Sequence, residues 1–254
     1  MKAYASLLVI LCSALATACS AIGKDDDTAG ESIGGEGDDG GTTAGAGAPI
    51  VPDVDAATFV AVVDNPYFPL PVGATWVIEA ETEEGVERIE IEVLAETRDI
   101  QGVTATVVRD TASLEGVVIE DTWDWFAQDS EGNVWYLGED TCEFENGECV
   151  STVGAWEWGV DGALPGIVMP ASPTVDGQPY YQEYYVGEAE DVGEVVEVGL
   201  SVSVPAGDYT DCVKTRDTST LDAEILEYKY YCAGVGNVKI EDGEVEELLV
   251  ETSL

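Results

Sequence analysis

The sequence predicts an all-β protein: one antiparallel domain, a sandwich or barrel-like sheet, carried behind a disordered linker. Three observations predict it. From Tyr67 onward apolar residues recur with period two, the pattern of half-buried strands. Turn signals interrupt that pattern at short intervals, at Glu84-Gly85, Ser130-Glu131-Gly132, Asn146-Gly147, Ala206-Gly207 and Asp242-Gly243. No helix-period run separates the candidate strands, as expected for a sandwich or barrel.

The chain opens on an export signal. Lys2 supplies a minimal positive start, and residues 3–18 form an apolar run. A membrane-spanning helix needs about 20 apolar residues, so this run is too short to be one. Leu15-Ala16-Thr17-Ala18-Cys19-Ser20 reads as a lipobox, with small residues before the cysteine that becomes the lipidated N-terminus. Cys12 follows the bulky Leu11 and does not fit that cleft. Plain secretion with cleavage near Ala18 would leave Cys19 as an unpaired thiol, a liability in an oxidising compartment. Residues 1–18 are therefore expected to be a signal peptide. Cys19 is expected to bind the chain to the cell envelope, and the several acyl chains of a bacterial lipoprotein hold firmly. Ser20, rather than Asp, resembles the pattern of lipoproteins sent on to the outer membrane. Lys24-Asp25-Asp26 resembles the acidic tags that carry some of them to the cell surface.

Residues 19–48 form the expected linker. From Lys24 its one large apolar side chain is Ile33, and Gly, Asp, Glu, Thr and Ala fill most of the rest. Such a segment cannot bury enough apolar surface to offset ordering entropy. Its reach is roughly 25–30 Å, enough to lift a domain clear of lipid. Asp25, Asp27 and Glu36 fall at calcium-loop spacing, but Ala29 interrupts the ligand set and no helices flank it, which excludes an EF-hand.

The chain holds 52 acidic and 9 basic residues with no histidine, a formal charge of -43. That balance excludes phosphate-backbone binding, so no nucleic-acid partner is expected. The acids read as a solvated surface, with diffuse divalent-cation binding as the sharper alternative. The missing histidine removes Ser-His-Asp and Cys-His catalysis and histidine-ligated zinc.

Residues 49–254 make the folded domain. Strands are expected at 75–81, 86–96, 103–113, 117–127, 133–139 and 148–153, then at 180–186, 192–204, 209–218, 225–232, 236–241 and 245–251. Residues 56–63 read as one short helix leading into Asn65-Pro66. Four cysteines remain after Cys12 and Cys19, an even number in an exported chain. Cys142 and Cys149 flank a four-residue turn segment, and Cys212 and Cys232 sit on consecutive strands. Local pairing is expected because the short loop closes most easily. A four-cysteine zinc site is disfavoured by the missing Cys-x-x-Cys spacing.

Candidate binding residues fall in two groups. Trp123 and Trp125 share a strand face that Trp135 and Leu137 join if the intervening hairpin carries a bulge, and such a stripe reads as core. Trp156 and Trp158 lead into a Gly/Pro-rich stretch ending at Pro179, and long ordered loops often carry function. If Cys212 faces Cys232, the same register sets Lys214 opposite Tyr230 and Arg216 opposite Tyr228. That face either cradles a carboxylate ligand or forms a salt-bridged ladder with the abundant acids. Glu183, Glu188, Glu190 and Asp191 are the densest acids near aromatic residues, with no role assigned. No catalytic, metal-binding or cofactor-binding residue is expected.

Several stretches together resemble an uncharacterised family of bacterial exported proteins and lipoproteins. They are Asn65-Pro66-Tyr67-Phe68-Pro69-Leu70 running through Gly73 to Trp76, the run from Val160 to Pro170, and Gln182-Glu183-Tyr184-Tyr185. Val204-Pro205-Ala206-Gly207 with Cys212-Val213-Lys214-Thr215 follows, then Glu227-Tyr228-Lys229-Tyr230-Tyr231 to Gly234-Val235-Gly236. The resemblance implies an exported β-rich domain and transfers no activity. Cys142, Cys149 and Cys232 lie outside its pattern. The expectation is a non-catalytic binding or surface-interaction module on the envelope, with a small hydrophobic or acidic ligand or an envelope component as partner. The alternatives are an acidic-site hydrolase of envelope glycans and a purely structural surface protein.

Overall fold

The computed structural model describes residues 48–51 and 53–254. The expected signal peptide, Cys19 and nearly all of the linker lie outside the described residues. Sixteen strands, all paired antiparallel, make up one continuous sheet. In chain order they are β1 (Phe59–Val60), β2 (Thr75–Thr82), β3 (Gly85–Ile100), β4 (Val103–Leu114), β5 (Val117–Asp129), β6 (Val134–Glu145), β7 (Glu148–Ser151) and β8 (Trp156–Glu157). There follow β9 (Leu164–Met169), β10 (Tyr180–Tyr181), β11 (Glu183–Tyr184), β12 (Asp191–Val204), β13 (Gly207–Ser219), β14 (Leu226–Cys232), β15 (Gly236–Asp242) and β16 (Val245–Thr252).

The path runs β10-β12-β13-β14-β15-β16-β2-β3-β4-β5-β6-β9-β11. Its two ends, β10 and β11, are separated in sequence by Gln182 alone. Tyr180 and Tyr181 pair with Gly193 and Val192, while Glu183 and Tyr184 pair with Pro165 and Leu164. One five-residue run thus touches both edges and nearly closes the sheet into a barrel, which removes most of the open strand edge. Gly166 makes this seam possible, because a Cβ there would strike the Gln182 carbonyl.

The strands follow the expected alternation, with turn chemistry to match. Asn146 and Gly147 have φ of 54° and 80°, the paired left-handed residues of a tight hairpin. Residues 56–63 depart from the expected helix. Ala56–Thr58 forms a single 3-10 turn capped by the Asp55 side chain, and Phe59–Val60 then pairs with β5. Phe59 gains more by packing on Trp135 and Trp158 than a short isolated helix could supply. Strand β9 falls inside the stretch expected to be loop. Its Pro165 and Gly166 resemble turn signals, yet here they serve close packing of strands at the seam.

The sheet buries apolar residues on both faces. Inside lie Trp76, Ile78, Ile89, Ile91, Phe126, Tyr136, Tyr231 and Leu249. Outside, Trp125, Trp135, Leu137 and Trp158 form a second cluster, covered by Val54, Ala56 and Phe59. Trp125 and Phe126 point to opposite faces by strand alternation and both are buried, while the register shift beside them leaves Leu137 of β6 as the extra, unpaired residue.

Candidate functional site

The barrel interior is divided into an apolar part and an acidic part. Rows of paired residues across the strands define the acidic one. On one wall Asp110 stands beside Thr122, which pairs with Thr141, and Asp124 pairs with Glu139. On the other, Thr215 pairs with Lys229 and Asp217 with Glu227, and Glu247 pairs with Ala80, which faces Glu87. Glu183 and Asp191 enter from the seam. Asp110, Asp124, Glu139, Glu183, Asp191, Asp217, Glu247 and Glu87 are all buried.

Part of this charge is matched. Lys229, itself buried, lies 3.2 Å from both Asp217 Oδ2 and Glu227 Oε2. Gln182 Nε2 donates to Asp217 Oδ2 at 3.2 Å, which ties the seam to the same group. Tyr136 donates its hydroxyl to Asp124 Oδ1 at 2.8 Å, and Trp156 donates its indole N–H to Glu183 Oε2 at 2.8 Å. Much of the charge is unmatched. Asp110 Oδ2, Glu139 Oε1, Glu183 Oε1, Glu247 Oε2, Glu87 Oε1 and both Asp191 oxygens have no hydrogen-bond partner. A buried polar atom left in that state costs about 1–3 kcal/mol, more if charged.

Burial is the main reason these carboxyl groups hold protons strongly. It raises Glu87, Glu120, Asp124 and Asp191 to about 7 and Glu183 to about 8. Asp110, Glu139 and Glu247 are pushed well above the usual carboxylate range by burial, and their acidic neighbours add to it. Lys229 goes the other way: Glu227 and Asp217 raise it well above a free lysine despite burial. Among the described residues no three Asp, Glu or Cys side chains converge to hold a metal ion.

The residues singled out in the sequence occupy different places. Trp156 is interior, edge-on to Tyr136 at 5.3 Å, whereas Trp158 belongs to the outer cluster. Strand β8 ends at Glu157, and the turn that follows takes Trp158 out of the face of Trp156, so they form no common platform. Lys214 pairs with Tyr230 and Arg216 with Tyr228, the register expected from the cysteines. Both cations already have acids: Lys214 bonds Glu241 at 3.1 Å and Arg216 bonds Glu194 at 2.5 Å. Lys214 also sits 4.1 Å from the Tyr228 ring centroid. Each cation thus sits in a salt-bridged ladder, in which Arg216 Nε keeps no hydrogen-bond partner. Cys142–Cys149 and Cys212–Cys232 form the two local disulfides.

The acids of the interior were missed, apart from Glu183 and Asp191, which carried no role. A signal was present. Glu87 is in phase with Ile89 and Ile91, Asp110 with Val108 and Ala112, Glu247 with Leu249, and Lys229 with Tyr231. Charges on the inward parity of a strand point inward.

No protein-family model matches the chain, and no curated protein matches it. Among solved structures, a crystal structure of a candidate lipoprotein from Parabacteroides distasonis is similar over 74% of this chain and 99% of that chain, with 14% identity and a TM-score of 0.42.

Proposed function

We propose that this protein is a lipoprotein held at the cell envelope by lipid on Cys19, in the outer membrane, and that its barrel is a non-catalytic binding module. The ligand is a small molecule bearing positive charge. The observation that carries this reading is the set of buried carboxyl oxygens without partners, around a lumen whose neighbouring part is apolar. An acidic ligand would add like charge to that lumen, at a cost of several kcal/mol. The hydrophobic side of the original expectation stays, because the apolar part suits an uncharged stem. The tether from residue 19 to 48 supports the envelope assignment, as does the lipobox ahead of it. The uncharacterised exported family remains the proposed kinship.

Native mass spectrometry of the full chain released from detergent micelles tests the binding reading. An added mass that is lost on acidification, when the carboxyl groups take up protons, supports it. A bare mass, and no mass shift after exposure to small amines, would leave a surface-structural role in its place. Turnover of cell-wall glycans that disappears in Asp124→Asn would replace it with the hydrolase.

A further inference from the structure

At the boundary between the apolar and acidic parts lies a slot of about 50 Å³. Phe68, Leu70, Trp76, Ile91 and Phe126 form its apolar walls, and the buried Asp110 and Asp124 line one end of it. Phe68, half-buried, caps it and packs on Phe126 at 5.2 Å and Tyr231 at 6.1 Å. The cap is built by the Asn65-Pro66-Tyr67-Phe68-Pro69-Leu70 run. Asn65 is buried, its side chain donating to the Gly132 and Pro170 carbonyls, and the Pro66 carbonyl accepts from Gly234 N–H. This stretch, conspicuous in the sequence, has no part in the acidic wall itself.

Two features distinguish the polar end from a simple cluster of acids. Asp110 is 7% exposed, and its Oδ2 has no partner. Every described lysine and arginine is already paired with another carboxylate; Arg109, next to Asp110 in sequence, points outward to Asp121. No cation of the described chain serves this pair.

We propose that the slot is a binding site for a primary alkylammonium, with the ammonium between Asp110 and Asp124 and a short aliphatic stem against Phe68, Trp76 and Ile91. This rests on the reading of the barrel as a binding module and names its ligand class. A water needs about 10–15 Å³ of such space, so the slot holds roughly four waters or a stem of about three or four carbons. An ammonium offers three donors to oxygens that lack them, and the dry walls strengthen the charge pairing. The competing occupant is a proton. Burial keeps both carboxyl groups protonated when no cation is present, and Asp124 and Glu120 from β5 and Glu247 from β16, with Asp121 beyond them, add to it at Asp110. Entry of the ammonium therefore displaces a proton.

Isothermal titration of the full chain in detergent with n-butylammonium, against 1-butanol as the neutral isostere, tests the proposal. Measurement in two buffers of different ionisation enthalpy counts protons. The amine is expected to bind and the alcohol not, with close to one proton released near pH 6 and an affinity that rises about tenfold toward pH 7.5. Asp110→Asn should weaken the amine at least about tenfold. Amine binding without proton release in the unaltered protein would overturn the proposal even if Asp110→Asn fails to fold. Binding unaffected by Asp110→Asn, but lost in Glu139→Gln, would place the ligand elsewhere in the lumen and overturn this site alone. Failure of every amine, from methylammonium to spermidine, would overturn the binding reading with it.

Discussion

Lys229 Nζ stands 3.2 Å from Asp217 Oδ2, and the two side chains are 2% and 1% exposed. Among the described residues this is the one buried cation in the acidic part of the barrel, and Thr215 and Asp217 on β13 together with Ile240 on β15 hold it in register. Its role is to make part of an acid-rich interior compatible with folding.

Lys229→Met keeps most of the stem volume but leaves Asp217 and Glu227 without their cation. Removal of one member of a buried pair costs about 3–5 kcal/mol. The variant is expected to unfold in urea at a clearly lower midpoint with an unchanged slope. Adding Asp217→Asn to it should recover part of the loss. A midpoint within error of the parent would show that water reaches Asp217 freely.

The raised carboxyl groups set the direction of the pH dependence. Unfolded, Glu and Asp release their protons near pH 4; folded, Glu87, Glu120, Asp124 and Asp191 keep them to about 7 and Glu183 to about 8. Between those limits the folded state binds more protons, so stability falls as pH rises. The contribution is complete below about pH 4 and is lost as pH rises through about 7 and then about 8, and Asp110, Glu139 and Glu247, raised in the same direction, add to the fall. Lys229, raised further above 10.5, stays charged throughout and adds no slope there. Asp129, lowered by its turn and indole donors despite partial burial, acts only below pH 4. Each pKa unit is worth about 1.4 kcal/mol. Between pH 5 and pH 8 a fall in Tm is expected, against the rise that an ordinary acid-labile surface would give. Glu183→Gln should remove the step nearest pH 8 while its carbonyl still accepts from Trp156.

The strands were legible because alternation and turn residues act locally. Val103 through Leu114 pairs along β3 and β5 much as its pattern requires. The seam was not legible, because Pro165 and Gly166 carry their meaning in a contact with Gln182, which no local pattern encodes. The interior acids were hidden for another reason. In a chain this rich in carboxylates, Asp110 and Glu247 look like surface residues until the parity of their strands is counted against their apolar neighbours. The outward face of β13 was readable from one assumption: once Cys212 met Cys232, the places of Lys214 and Arg216 followed.

The two disulfides should separate by reduction. Cys149 is exposed and Cys142 half-buried, whereas Cys212 and Cys232 are both 0% exposed. Thiolate attack needs access to sulfur, so mild dithiothreitol should open Cys142–Cys149 alone. Alkylation and mass analysis at successive times would show it. The chain-entropy difference is small, roughly 2.4 against 3.3 kcal/mol for separations of 7 and 20 residues. Replacement of Cys212 and Cys232 by alanine should nevertheless cost more than that difference, because it also empties a buried site in the core. Simultaneous reduction of both would mean that the barrel opens before either bond is reached.

Gly166→Ala tests the seam. A methyl group at position 166 meets the Gln182 carbonyl, which is backbone and cannot swing aside. Strand β9 must move off β11, and the displacement loads two bonds that hold Gln182: its N–H to the Asp191 carbonyl at 2.8 Å and its side chain to Asp217 at 3.2 Å. Overpacking of this kind costs about 1–3 kcal/mol. Global unfolding should shift by that amount. Hydrogen exchange should rise most at Gln182 and its neighbours in β10 and β11, because local opening at the seam needs less energy than opening the long β3–β4 pair. Val175→Ala, on the exposed loop before the seam, is the control and should stay within about 0.5 kcal/mol. Uniform loss of protection across β3 and β4 instead would mean that the seam and the wall open as one unit, so that Gly166 protects the barrel as a whole.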